Sequence, residues 1–150
     1  MKLSKFQKEI QTLQDSIIYL AKQGHEGLYG DGINLVNNDD FKVTNSYSDG
    51  IYMRKLEMKK GSIGIGAIHN TDHFWFLLTG RIIVKSNNEE VEHIAPCIES
   101  SPKGTQRIII ALEDSIFVNT HKNPLNLDTD EEIEKYIYSF TMEEYNNKNK

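Results

Sequence analysis

Histidine is the residue type with most chemical promise in this chain, and three of its five copies stand where imidazoles could act together: His69, His73 and His121. His69 and His73 flank a three-residue turn, Asn70-Thr71-Asp72, so hairpin geometry can bring both rings to one side. On the strand after the turn His73, Trp75 and Leu77 share a face; on the one before it Ile65, Ala67 and His69 share one. A histidine among Ala, Trp and Leu on an inward face needs a partner for its nitrogens, because an unpaired buried imidazole is costly. A divalent metal is one such partner, and a carboxylate or an organic ligand is another. His-x-x-x-His makes no metal site without a third ligand. His121, which ends the last apolar strand on the face of Phe117 and Asn119, could supply it. Metal ligation, hydrogen-bonded structural histidines and a metal-free ligand pocket all remain open on this pattern.

Other polar residues could line the same cavity. Arg107 opens an alternating strand with Ile109 and Ala111. If that face is the inner one, it offers a guanidinium fork to a carboxylate or phosphate; otherwise it points to water. Tyr52 and Arg54 share one face of their strand, and with Trp75 they complete the candidate ligand-binding set. His25 and His93 read as surface histidines. Cys97 follows Pro96 with no evident base and reads as a small buried hydrophobe. Glu57, Glu113 and Asp114 are possible bases, but their spacing does not bring them to the histidines, so the catalytic residues are unassigned.

The elements that must position these side chains are mostly short strands. Ile51–Met58, Ile63–His69, His73–Leu78, Arg81–Lys85, Val91–Ile94, Gln106–Leu112 and Ser115–Thr120 are separated by turn signals at Lys60-Gly61, Asn70-Thr71-Asp72, Thr79-Gly80, Ser86-Asn87-Asn88-Glu89 and Pro102-Lys103-Gly104. This rhythm predicts an antiparallel sandwich or barrel, and the lack of a helical stretch between Ile51 and His121 excludes a βαβ fold. Ahead of it Leu3, Phe6, Ile10, Leu13, Ile17 and Leu20 recur at intervals of 3, 4, 3, 4 and 3 on a helix from about Ser4 to Lys22. That helix either lies across its own domain or pairs with a copy of itself. Residues 24–49 show no readable period, and their glycines lack the Gly-Lys-Ser/Thr of a phosphate loop. After Pro124, Thr129-x-x-Glu132 predicts a capped helix to about Phe140, with a further turn at Thr141 and a frayed polar tail. The chain therefore divides into an amphipathic helix (1–24), a β domain with a Gly/Asn-rich lead-in (25–124) and a helical C-terminal segment (125–150).

Composition narrows the function classes. With 150 residues the chain makes one domain of ordinary size. Seventeen basic against twenty-two acidic residues give a net charge of -5 without a basic run, which argues against nucleic acid. No stretch approaches the ~18 apolar residues of a membrane helix, and the first residues lack a signal-peptide pattern, so the expected location is the cytoplasm. One cysteine excludes an internal disulfide framework and any multi-cysteine cluster. Metal chemistry here would use nitrogen and oxygen.

The strand run resembles the cupin superfamily. Gly80 fits the glycine that ends the first cupin motif; seven positions earlier His73 stands where a Glu is usual, His69 matches the motif's second histidine, and Ala67 stands at the first. Pro102-Lys103-Gly104 matches the second motif, with Arg107 at its histidine position and Ala111 at its asparagine position. A further resemblance is to small cupin-like proteins of tailed bacteriophages, carried by Gly50-Ile51-Tyr52-Met53-Arg54, His69, His73, Gly80, Pro102-Lys103-Gly104-Thr105-Gln106-Arg107, Ala111-Leu112-Glu113-Asp114 and His121. It implies an all-β jelly-roll with an N-terminal helix, in a phage-encoded protein working in the host cytoplasm.

Three functions are compatible with these observations. In the first, His69, His73 and His121 hold a divalent metal (Zn, Fe, Ni or Mn) beside a small polar or anionic molecule fixed by Arg107 and Arg54, with or without catalysis. In the second, a homo-oligomer sequesters a small host signal such as a nucleotide without turnover. In the third, the barrel is an assembly module without an active site.

Overall fold

The computed structural model describes residues 2–25, 39–87 and 89–150. Helix α1 (Lys5–Lys22) opens on Ser4, whose hydroxyl accepts from the Gln7 amide while the Gln7 side chain returns to the Ser4 amide. Eight strands make up two antiparallel sheets with β3: β1 (Phe41–Ser48), β2 (Ile51–Met58), β5 (His73–Thr79), β6 (Arg81–Ser86), β7 (Glu89–Ile94), β8 (Cys97–Ser101), β9 (Ile108–Ala111) and β10 (Ser115–Lys122), besides β3 itself (Ile63–Ile65). One sheet runs β1-β2-β10-β5-β8 and the other β3-β9-β6-β7. They face each other across a core built from alternate residues: Phe41, Met58, Trp75, Leu77 and Phe117 from the first, Ile82, Val84, Ile109 and Ala111 from the second. This is a jelly-roll sandwich. Among the described residues the two sheets are not joined by strand pairing, so the barrel alternative is not realised.

A second apolar cluster lies at the histidine end. There the two-residue strands β4 (Ile68–His69) and β11 (Tyr138–Ser139) pair, and helix α2 (Asp130–Ile137) buries Ile133 and Ile137 against Tyr52, Ala67 and Tyr138. Helix α3 (Met142–Lys148) follows, capped by Thr141. Across the domain α1 buries Ile10 and Gln14, and Gln106 Nε2 donates to Gln14 Oε1 at 3.1 Å. Leu13 on the same helix is exposed, so the apolar seam is only partly used within the chain. No helix among the described residues is long and apolar enough to cross a membrane.

The structure corrects the expected elements in four places. The stretch 24–49 contains β1, whose Phe41 and Val43 alternate with polar residues too weakly to be legible; the glycine-rich residues 26–38 lie outside the described residues. Ile63–His69 is two strands, because β3 pairs with β9 while β4 leaves that sheet for β11. Cys97–Ser101 forms an edge strand whose outward residues hid its period. The C-terminal helix stops at Ile137 instead of Phe140, since Tyr138 and Ser139 turn extended to pair with His69 and Ile68, and the polar tail is helical to Lys148.

Gly80, between β5 and β6, is a position only glycine fits. Its φ is +86°, and a Cβ there would lie 2.4 Å from the Asp114 carbonyl oxygen. This turn passes the chain from one sheet of the sandwich to the other.

Candidate metal centre

His69, His73 and His121 converge. Each offers a nitrogen within 4.8 Å of the others', and all three rings are buried. Strand pairing is the cause. Phe74 faces Thr120 in the β5–β10 register, so His73 and His121 are the next step of the same ladder, and the β4–β11 pair places His69 beside them. The loop before β9 closes the site: the His69 amide donates to the Thr105 carbonyl at 3.0 Å, and the Gly104 amide to the His69 carbonyl at 2.7 Å. Lys103 N donates to Asp72 Oδ1 at 2.8 Å, tying this loop to the turn between the histidines.

The hydrogen bonds assign the tautomers. His73 Nδ1 lies 3.0 Å from the Thr71 carbonyl, which can only accept, so Nδ1 carries the proton and Nε2 keeps its lone pair. That Nε2 accepts from Arg107 Nη2 at 3.0 Å. Arg107 Nη2, its two hydrogens turned to His73 and Asn119, also lies 3.5 Å from His69 Nε2; a guanidinium cannot accept, so a proton is disfavoured on that nitrogen, and His69 Nδ1 then donates to His121 Nε2 at 3.3 Å. His121 Nδ1, 2.9 Å from Thr71 Oγ1, donates to the hydroxyl. Thr71 thus orients two rings at once, through its carbonyl and its side chain.

Electrostatics keep the three rings neutral. Burial, followed by the Arg107 charge, lowers His73 to about 4. Burial and then the neighbouring His73 lower His121 to about 2, and burial with Arg107 holds His69 well below the usual histidine range. Neutral imidazoles are what a divalent ion requires. With metal–nitrogen bonds of about 2.0–2.1 Å, tetrahedral ligand nitrogens sit about 3.3 Å apart; the His69 Nδ1 to His121 Nε2 separation is 3.3 Å. The donor set fits a divalent metal. The rings are nevertheless stacked, His69 on His73 with centroids 4.1 Å apart and planes 12° from parallel, so a common ion would turn at least one of them.

Arg107 is the inward alternative of the two considered. It is 4 % exposed; its Nη1 donates to Ser101 Oγ at 2.6 Å and its Nη2 to Asn119 Oδ1 at 3.0 Å. Burial lowers it to about 10, which leaves it charged at neutral pH. Its hydrogen-bond partners are all neutral, so the guanidinium is a buried cation without a carboxylate among the described residues. Arg54 differs, lying 3.4 Å from Glu134 and over the Tyr138 ring. Tyr52 is fully buried and donates to Asn45 Oδ1 at 2.9 Å. Trp75 stacks on Phe117 in the core.

Three cavities border this cluster. A cavity of about 70 Å³ is lined by Arg54, His69, Arg107, Asn119 and Tyr138, with the Tyr138 hydroxyl buried beside Tyr52. A larger one of about 550 Å³ runs past Arg107, Ser101, Trp75, His93 and Glu99. A third, of about 610 Å³, reaches His73 and His121 from outside. Arg54 and Trp75 therefore border different cavities, joined only through Arg107. Glu57, Glu113 and Asp114 sit at the opposite end of the sandwich, paired with Lys55, Arg81 and Lys59. His93 is half-buried against the Trp75 edge instead of fully exposed, with Cys97 Sγ 3.7 Å from its Nδ1.

Four participants had no clear sequence signal. Ser101 lay in an unrecognised edge strand, Tyr138 in a stretch with helical pattern, and Thr71 in a turn of ordinary composition. Asn119 was detectable only as the residue two before His121 on the same face.

No protein-family model matches the sequence, and no curated protein is similar to it. Solved structures do match. KdgF from Halomonas sp. superposes with a TM-score of 0.50 at 15% identity, covering 57% of this chain and 82% of that one. The plu4264 protein of Photorhabdus luminescens gives 0.52 at 14% identity, over 62% of this chain and 86% of that one. Oxalate decarboxylase OxdC of Bacillus subtilis, as an S161A mutant, gives 0.52 at 13% identity, over 63% of this chain and 29% of that one. A cupin domain of a transcriptional regulator from Enterobacter cloacae matches along 99% of its length, with a TM-score of 0.50 at 8% identity and 57% of this chain covered. The jelly-roll sandwich that carries the three histidines is the cupin fold.

Proposed function

We propose that the protein holds a divalent metal on His69, His73 and His121, beside a small anionic molecule fixed by Arg107. The observation that carries this reading is the action of Thr71, which takes the Nδ1 protons of both His73 and His121 and leaves their Nε2 lone pairs turned towards His69 and Arg107. Ligand histidines are typically anchored in this way through the nitrogen away from the metal. A bound metal would supply Lewis-acid polarisation of an oxygen ligand or lower the pKa of a bound water. The chain's own part is to keep the imidazoles neutral and to present the Arg107 cation and the Tyr138 hydroxyl to the ligand. Of the metals considered, Zn, Fe and Ni suit such an all-imidazole set, whereas Mn prefers oxygen donors.

A second reading is favoured by the buried charge on Arg107, which has no counter-ion among the described residues: a metal-free receptor that sequesters a small anionic signal, a nucleotide among the candidates, without turnover. The phage-protein resemblance supports this reading, and the exposed apolar residues Phe74, Leu78 and Ile98 on the outer face of the larger sheet support a homo-oligomer.

Elemental analysis of protein purified without a metal-affinity tag separates the two. Stoichiometric metal in the wild type, lost in His69→Ala and in His121→Ala, is the expected result. Metal-free protein after expression in metal-replete medium would sink the metal reading and leave the receptor.

A further inference from the structure

We propose that Arg107 is an internal competitor of the metal: the guanidinium and a divalent ion are alternative occupants of the same imidazole lone pairs, so the ion binds only when Arg107 releases His73. This rests on the metal reading above and adds the residue that sets the affinity of the site.

The geometry leaves His73 a single way to ligate. Its Nδ1 proton is committed to the Thr71 carbonyl, so only Nε2 can face an ion, and Nε2 is the acceptor that Arg107 Nη2 holds at 3.0 Å. An imidazole nitrogen has one lone pair and cannot serve both. His69 leads to the same conclusion by either nitrogen. If it ligates through Nε2, the ion occupies the space of Arg107 Nη2, now 3.5 Å away. If it ligates through Nδ1, its proton moves to Nε2 and meets a guanidinium that can only donate. A divalent ion would also stand beside a buried cation that no carboxylate offsets, and like charges repel strongly where water is excluded.

Arg107 has somewhere to go. It borders both the small cavity and the larger one of about 550 Å³, and Ser101 lies on the wall of the latter. Arg107 thus places its own positive charge where the ion's would lie, against the lone pair of His73 Nε2.

The test is competition of Zn²⁺ and Co²⁺ against a chromophoric chelator, with wild type and Arg107→Met. Methionine approximates the arginine stem and carries no donor or charge. The expected result is at least tenfold tighter metal binding by the variant, the reverse of what loss of a supporting residue does. Equal or weaker binding by Arg107→Met overturns the proposal while the metal reading stands. If neither protein binds metal, the metal reading falls and takes this proposal with it. Should Arg107→Met fail to fold, ¹⁵N spectra of the arginine side chains in wild type decide the matter. Zn²⁺ is expected to shift the Arg107 guanidinium signals, and unchanged signals in the zinc-loaded protein overturn the proposal.

Discussion

At the residue scale, the three imidazoles and Arg107 form one hydrogen-bonded unit whose neutrality has a measurable cost. In the unfolded chain a histidine takes up its proton near pH 6.5, whereas folded His73 does so only near 4 and His121 near 2. Above about pH 6.5 both states are neutral and the groups contribute no pH dependence. Below it the unfolded state binds more protons, so stability falls as the pH drops. For His73 alone the loss reaches roughly 3 kcal/mol at pH 4. Urea titrations in chelator between pH 7 and 4 should show this decline, and His73→Gln should make it shallower by the His73 share while His69 and His121 keep the rest. Thr71 offers a second test at this scale. Thr71→Val keeps the backbone carbonyl for His73 but removes the hydroxyl from His121, and loss of such an anchor typically weakens metal affinity about 10–100-fold. Chelator competition on Thr71→Val measures it, and unchanged affinity would show that Thr71 does not orient a ligand.

At the scale of elements, the turns do most of the positioning. The β5–β6 turn depends on Gly80, and Gly80→Ala places a methyl group against the Asp114 carbonyl and the Ser115 side chain in a left-handed backbone conformation. Steric strain of that conformation plus the backbone clash should cost about 3 kcal/mol or more, visible as a lower urea midpoint with an unchanged slope. The turn glycine, the Pro102-Lys103-Gly104 turn and the apolar alternation of β2, β5, β6, β9 and β10 were all legible, because each is a local demand on backbone conformation or on one face of a strand. Strands β1 and β8 were not. Both lie at the edge of their sheet, where one neighbour is missing and the burial contrast between the two faces is weak. The Tyr138–Ser139 strand was hidden for a different reason: it exists because His69 and Ile68 offer it a partner, not because its own residues prefer extension.

For the whole molecule, the proposed metal binding would be linked to folding, since the unfolded chain cannot hold three imidazoles together. Free Zn²⁺ at about 100-fold over its Kd should add about 2.7 kcal/mol. For a chain of this size that is a rise in Tm of roughly 5–10 °C. Differential scanning calorimetry with and without Zn²⁺ checks this, and His73→Ala should abolish the rise. An equal rise in His73→Ala would place the ion elsewhere.

The sequence by itself determined the residue types available to a site and the class of fold around them. One cysteine excludes a multi-cysteine metal cluster, and short alternating strands between turn signals can bury one face each by stacking two sheets or by closing into a barrel. It also singled out His69, His73 and His121, because histidines at strand ends on apolar faces must find partners. Only the tertiary structure decided which partners. His121 is 48 residues beyond His73 and meets it through the β5–β10 register, while Arg107 turned inward because the loop before β9 pairs with His69. Local pattern specifies which face of a strand is buried; it does not specify which side chains from other strands will share that interior. Those neighbours are what make a histidine cluster, with an arginine already seated on it, out of four residues scattered along the chain.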